Sequence, residues 1–116
     1  MSHFAKVLNG KVVQIIVAEE DFFNTFVDWS PGHWIKTSYN TTANKHTLNG
    51  TPLRGNFAEV GSNYDSIEDA FYGLQPFPSW ILNKDIWMWE PPISYPTDGK
   101  EYLWDEELVN WKEFIT

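Results

Sequence analysis

One pattern occurs three times in the second half of the chain and constrains the fold more than any other feature. Tyr64-Asp65 is followed six residues after the Asp by Phe71, Leu82-Asn83 likewise by Trp89, and Trp104-Asp105 by Trp111. Each unit reads as an apolar residue, then Asp or Asn, then five variable residues, then an aromatic. Asp and Asn open turns by bonding their side chains to the backbone just ahead. The flanking large side chains then face each other across two short antiparallel strands, where an aromatic pair contributes about 0.5–1 kcal/mol. Proline-rich stretches separate the units: Gln75-Pro76-Phe77-Pro78-Ser79 after the first, Glu90-Pro91-Pro92-Ile93-Ser94-Tyr95-Pro96 after the second. Proline cannot donate to a β-ladder, so these links disfavour one continuous sheet. The expectation is a meander of aromatic-rich hairpins, each needing a neighbour or another chain to cover its ring-bearing face.

The first half carries a different signal. Phe4, Lys6 and Leu8 alternate with Ala5 and Val7, Asn9-Gly10 follows, and residues 11–18 are rich in Val and Ile. Asn-Gly between two such runs suits a type I′ turn, whose central residues both need positive φ. This predicts a hairpin of residues 3–8 and 11–18. Glu19, Glu20 and Asp21 then precede Phe22, Phe23, Phe26 and Val27. Acids in a first turn complement the helix dipole and the apolar spacing fits one helical face, which predicts a short helix over 19–27. Asp28-Trp29-Ser30-Pro31-Gly32 turns the chain into a central strand over 33–39, with Trp34, Lys36 and Ser38 opposite Ile35, Thr37 and Tyr39.

Residues 40–56 are polar and read as a long loop with a small hairpin at Leu48-Asn49-Gly50-Thr51. Lys45, His46 and Arg54 stand out there in an acidic chain, and Arg54 is a candidate contact residue. The fold class expected is mainly β in a single small domain. Its parts are an N-terminal hairpin, one short helix and a central strand over 1–39, the polar loop over 40–56, and the aromatic hairpin region over 57–116.

Sixteen Asp and Glu against eight Lys and Arg give a net charge of −8. Such a chain repels phosphate backbones, which argues against nucleic acid as its main ligand. Val12–Ala18 is the longest apolar run and Gln14 interrupts it, so membrane insertion by a helix of about 20 residues is not expected. The opening MSHFAKVLNGK lacks the apolar stretch and small-residue cleavage site of a secretory signal. The absence of cysteine excludes disulfides, thiolate metal sites and thiol catalysis. No nucleotide-binding, zinc-protease or serine-hydrolase motif occurs. His3, His33 and His46 fall in three different elements, and Asp105-Glu106-Glu107 lacks a calcium-loop spacing. Turn chemistry accounts for Asp65, Asp69 and Asp85 more simply than a glycosidase carboxylate pair does. No catalytic residue, cofactor or metal is therefore expected.

Aromatic residues make up 17% of the chain, as seven Trp, eight Phe and five Tyr. Trp80, Trp87, Trp89, Trp104 and Trp111 fall in the expected hairpin strands. Alternation places Trp87 and Trp89 on one face, and Tyr102 and Trp104 on one face. Trp80, Trp87, Trp89, Tyr102, Trp104 and Trp111, with Arg54, are the candidate interface residues. Their rings either fill a core or subunit interface, or form a flat platform for a glycan.

The segments FAKVLNGKVVQIIVAEEDF, HWIKTSYNT, TPLRGNFAEVGSNYD, PFPSWILN, YPTDGK and YLWDEELVNW cover nearly the whole chain. Through them it resembles a family of short proteins encoded by marine tailed phages, including those infecting cyanobacteria. Its last hairpin is similar to one that recurs near the ends of phage tail and fibre proteins. Gly61-Ser62-Asn63-Tyr64 departs from the Gly-Tyr-Thr-Tyr-like strand of that pattern. The resemblance implies a virion or tail-associated accessory role, in the virion or in the host cytoplasm before assembly. It carries no catalytic residues. The function expected is non-enzymatic, through self-association or docking on a larger virion assembly; the alternative is a carbohydrate-binding module for host-surface glycans.

Overall fold

The computed structural model describes residues 2–115, and the chain is mainly β. β1 (Ser2–Leu8) and β2 (Lys11–Ala18) pair antiparallel, with Leu8 opposite Lys11. Asn9 and Gly10 close the turn at φ 53° and 77°, the left-handed region that Asn and Gly enter most easily. A bulge at Lys6/Val7 shifts the ladder by one residue. A 3₁₀ turn, Glu20–Asn24, follows, and β3 (His33–Thr37) pairs with the other side of β1. β4 (Thr41–Thr42) and β5 (Lys45–His46) form a small hairpin. β6 (Asn63–Asp65) and β7 (Ala70–Tyr72) complete a five-stranded sheet of order β3-β1-β2-β6-β7.

Both faces of β1 are covered. Ala5, Val7 and Val12 pack with Ala58 and Phe71 on one face, joined by Ile15, Ile35 and Tyr64. Phe4 and Lys6 alternate with these and are also buried. The Phe4 ring meets Phe23 at 4.7 Å between centroids, and Lys6 Nζ lies 2.6 Å from Asp28 Oδ2. The Ala58 N–H donates to Thr37 Oγ1 at 2.9 Å.

The expected helix over 19–27 is shorter and tighter than the acid-then-phenyl pattern suggested. Glu19 makes no side-chain cap bond and no basic residue closes the last turn, so nothing local sustains further turns. The phenyl rings instead fix the segment by packing: Phe23 reaches Phe4 and Trp34, and Phe22 and Phe26 stack at 4.6 Å. The small hairpin of the polar segment also lies elsewhere than at Leu48–Thr51. It turns at Ala43-Asn44, both at positive φ. Residues 48–50 instead wrap around His46, whose Nδ1 accepts the Leu48 and Gly50 N–H groups at 3.0 Å each.

The repeated pattern forms the expected hairpins. β6–β7 places Tyr64 opposite Phe71. β8 (Ile81–Asn83) and β9 (Met88–Glu90) form the second hairpin, and β10 (Tyr102–Asp105) and β11 (Asn110–Glu113) the third, with Trp104 opposite Trp111. Asp65 Oδ1 accepts the Ile67 and Glu68 N–H groups, and Asp105 Oδ1 those of Glu107 and Leu108. The residue before each second strand is left-handed: Asp69, Trp87 and Val109, at φ 56°, 56° and 49°. Only the first hairpin joins the large sheet; the other two are two-stranded sheets of their own.

This corrects two placements. Trp87 is a turn residue ahead of β9, so it does not share a strand face with Trp89. Trp80 precedes β8. Alternation in the sequence cannot show that the four-residue loop ends on a left-handed residue.

The described residues fall into two compact units: those up to Leu74 with Lys84–Met88, and Gln75–Asn83 with Trp89 onward. No helix among them is long and apolar enough to cross a membrane.

Candidate functional site

Three of the seven candidates come together in the second unit. Trp104 and Trp111, held opposite each other by the β10–β11 register, lie 5.1 Å apart at 79°. Trp80 meets Trp104 at 5.8 Å and 89°, and Trp111 at 6.3 Å and 65°. These are edge-to-face contacts, which match the positive rim of one ring to the negative face of the next. Phe77 closes the cluster against Trp80 at 5.7 Å. The proline-rich links are therefore packing elements as well as connectors.

Polar partners fix the rings. Trp104 Nε1 donates to Glu106 Oε1 at 2.9 Å, and Ser79 Oγ donates to the same oxygen at 2.7 Å. These two bonds hold the Glu106 carboxyl below its usual range, the Ser79 bond being the larger cause. Trp111 Nε1 donates to the Ile93 carbonyl at 2.7 Å. Trp80 Nε1 is buried with no acceptor among the described residues. Tyr102 joins the rim: its hydroxyl donates to Asp98 Oδ2 at 2.6 Å, which is the main reason its pKa is pushed up to about 12. Its N–H donates to the Tyr95 hydroxyl at 3.0 Å.

Beside this cluster runs an open groove of about 480 Å³, lined by Trp80, Glu90, Pro91, Ser94, Tyr95 and Trp111. Tyr95 stands edge-on to Trp111 at 4.9 Å. Sequence reasoning did not single Tyr95 out, because it lies in a stretch that reads only as a connector. One carboxylate, Glu90, lines the groove, and Asn83 Nδ2 already donates to it at 2.8 Å. Trp89 is half-buried on β9.

Trp87 and Arg54 belong to the first unit. Trp87 is 6% exposed despite its turn position. Its ring lies against Gly55, where a Cβ would come within 3.0 Å of Cδ1 and Cγ, and Gly55 itself has φ +80°. Asn56 Nδ2 donates to the carbonyls of Phe71 and Trp87 at 3.0 and 2.9 Å. The Arg54 carbonyl accepts the Phe71 N–H at 2.8 Å. Arg54 Nε donates to Asp69 Oδ1 at 2.9 Å and Nη1 to the Lys36 carbonyl at 3.1 Å. Arg54-Gly55-Asn56 thus acts as an internal clamp on two hairpin corners, with the guanidinium engaged inside its own unit.

The most exposed tryptophan is one the pattern did not mark. Trp29 is 93% exposed, on a turn where Asp28 accepts bonds from Lys6, Ser30 and Trp34. Among the described residues no group of three or more His, Asp or Glu is placed to hold a metal ion. No protein-family model matches the chain, and no curated protein or solved structure is significantly similar to it.

Proposed function

We propose that the chain is a non-enzymatic structural or tail-associated accessory protein of a tailed phage, working through protein–protein contact. The observation that carries this is the distribution of apolar side chains. Nine apolar residues are buried among those described, four of them alanines, whereas nineteen large ones are exposed. Scattered exposed apolar residues are ordinary. A surplus on this scale in so small a chain suits a surface that is covered by a partner. The resemblance of its segments to small marine-phage proteins supports the virion setting. Immunogold labelling of purified particles of the phage that encodes it tests this; label on the particle is expected, and its absence overturns the role.

The groove of the second unit supports a second reading, a glycan ligand. Trp80, Tyr95 and Trp111 offer ring surface beside Glu90 and Ser94. The mutual tilts of 65° and 79° disfavour a flat platform, so contact with protein remains the first reading. Binding on a glycan array that disappears with Trp111→Ala would reverse the order.

A further inference from the structure

We infer that the free edge of β2 accepts a β-strand from a different protein, an apolar strand preceded by Lys or Arg. This rests on the protein-contact reading and names its partner chemistry. β2 is eight residues long, yet its only pairing among the described residues on the side away from β1 is Lys11 with Asn63. Val12 exchanges bonds with Gly61 and Ser62. From Val13 to Ala18, no backbone hydrogen bond among the described residues lies outside the β1–β2 ladder. Alternate residues of an antiparallel strand point N–H and C=O outward, so this edge offers a ready template.

Natural edges are normally blunted by charge, proline or short length. Val13-Gln14-Ile15-Ile16-Val17-Ala18 has neither charge nor proline. The opposite edge of the same sheet differs. There Lys36 places a charge on β3 and pairs with Glu20, and Arg54 Nη1 occupies the Lys36 carbonyl.

The surroundings of the β2 edge specify the occupant. An open groove of about 520 Å³ lies at the C-terminal end of β2, lined by Ile16, Val17, Ala18, Glu19, Asp21 and Phe22. Glu20 is taken by Lys36, whereas Glu19 and Asp21 make no ion pair among the described residues. Every strand pairing described in this sheet is antiparallel, so an added strand would arrive with its N-terminal end at these acids. Cations there complete the charge match. A second copy fits poorly: it brings another net −8, and the one cation of its β2, Lys11, already bonds Asn63.

The test uses the full chain and the synthetic peptide Lys-Lys-Val-Thr-Val-Thr-Val-Thr. Binding is expected, with slowed amide exchange confined to residues 13–18. A peptide with Glu-Glu in place of Lys-Lys should bind roughly tenfold more weakly, as should the Val13→Lys/Val17→Lys double variant toward the original peptide. Both valines are exposed, and a melting curve checks that the variant is folded. If the variant unfolds, exchange in the wild-type chain decides. Unchanged exchange at 13–18, or equal affinity for both peptides, overturns the inference. Protection of 13–18 in the chain alone with dimer formation overturns it in favour of self-pairing. Particle labelling without peptide binding defeats this inference and leaves the proposed function standing; peptide binding without labelling does the reverse.

Discussion

Asp28 shows how much one side chain can organise. It accepts Lys6 Nζ at 2.6 Å, the Ser30 N–H at 3.0 Å and Trp34 Nε1 at 3.1 Å. The Lys6 bond is the largest reason its pKa lies well below the usual carboxylate range. A carboxylate depressed on folding stabilises fully above its unfolded pKa of about 3.9, and that stability is lost as pH falls through the folded value. Asp28→Asn should therefore flatten the acid limb of the stability curve below about pH 4. Melting curves of wild type and variant that run parallel from pH 5 to 2 would contradict this; those pH values are roughly the window in which such a group exchanges its proton. The alkaline side has a counterpart in Tyr64, pushed up from 10.0 to about 12 by burial and by its bond to Asp69. Its contribution is complete below the unfolded pKa and lost as pH rises through the folded one. Tyr64→Phe should remove that loss, and equal alkaline midpoints for variant and wild type would refute it. The sequence shows a turn at Asp28; that the turn reaches a lysine 22 residues earlier depends on β1 and β3 lying side by side, which no local pattern encodes.

Turns decide most of what happens among the strands. Asn9-Gly10, Asp65 and Asp105 were legible because turn chemistry is local: each acts on backbone within three residues. The left-handed residue before each second strand was not legible, since Asp69, Trp87 and Val109 share no side-chain character. Val109 is the costly one, a β-branched residue at φ 49°. Val109→Gly should raise the stability of the third hairpin by about 1 kcal/mol, read as a higher melting temperature; a fall would show that the Val side chain contributes more than its backbone costs. Gly10→Val is the opposite case, placing a β-branched group at φ 77°. It should lower the melting temperature, and an unchanged value would contradict the type I′ turn. Cross-strand partners followed from the repeat, as Tyr64–Phe71 and Trp104–Trp111 show. Which strand edge is left bare did not follow, because β6 meets β2 at Lys11 alone, and strand order is a property of the assembled sheet.

Across the whole chain, ring packing stands in for a large aliphatic core. Phe71 is fully buried in the first unit and belongs to its core cluster. Phe71→Ala should cost about 3–5 kcal/mol, measured by denaturant unfolding with amide exchange in β1–β3 as the local readout. A loss under about 1 kcal/mol, far below the range for such truncations, would place the stability elsewhere. The second unit relies on a different device, the near-perpendicular trio of Trp80, Trp104 and Trp111. Indole chromophores this close and this fixed share their electronic excitation. The far-ultraviolet circular dichroism of the chain should consequently carry a paired positive and negative band of indole origin, an intrinsic optical tag that vanishes when this small unit melts and is weakened by Trp104→Phe, which removes two of the three ring contacts and leaves Trp80 against Trp111.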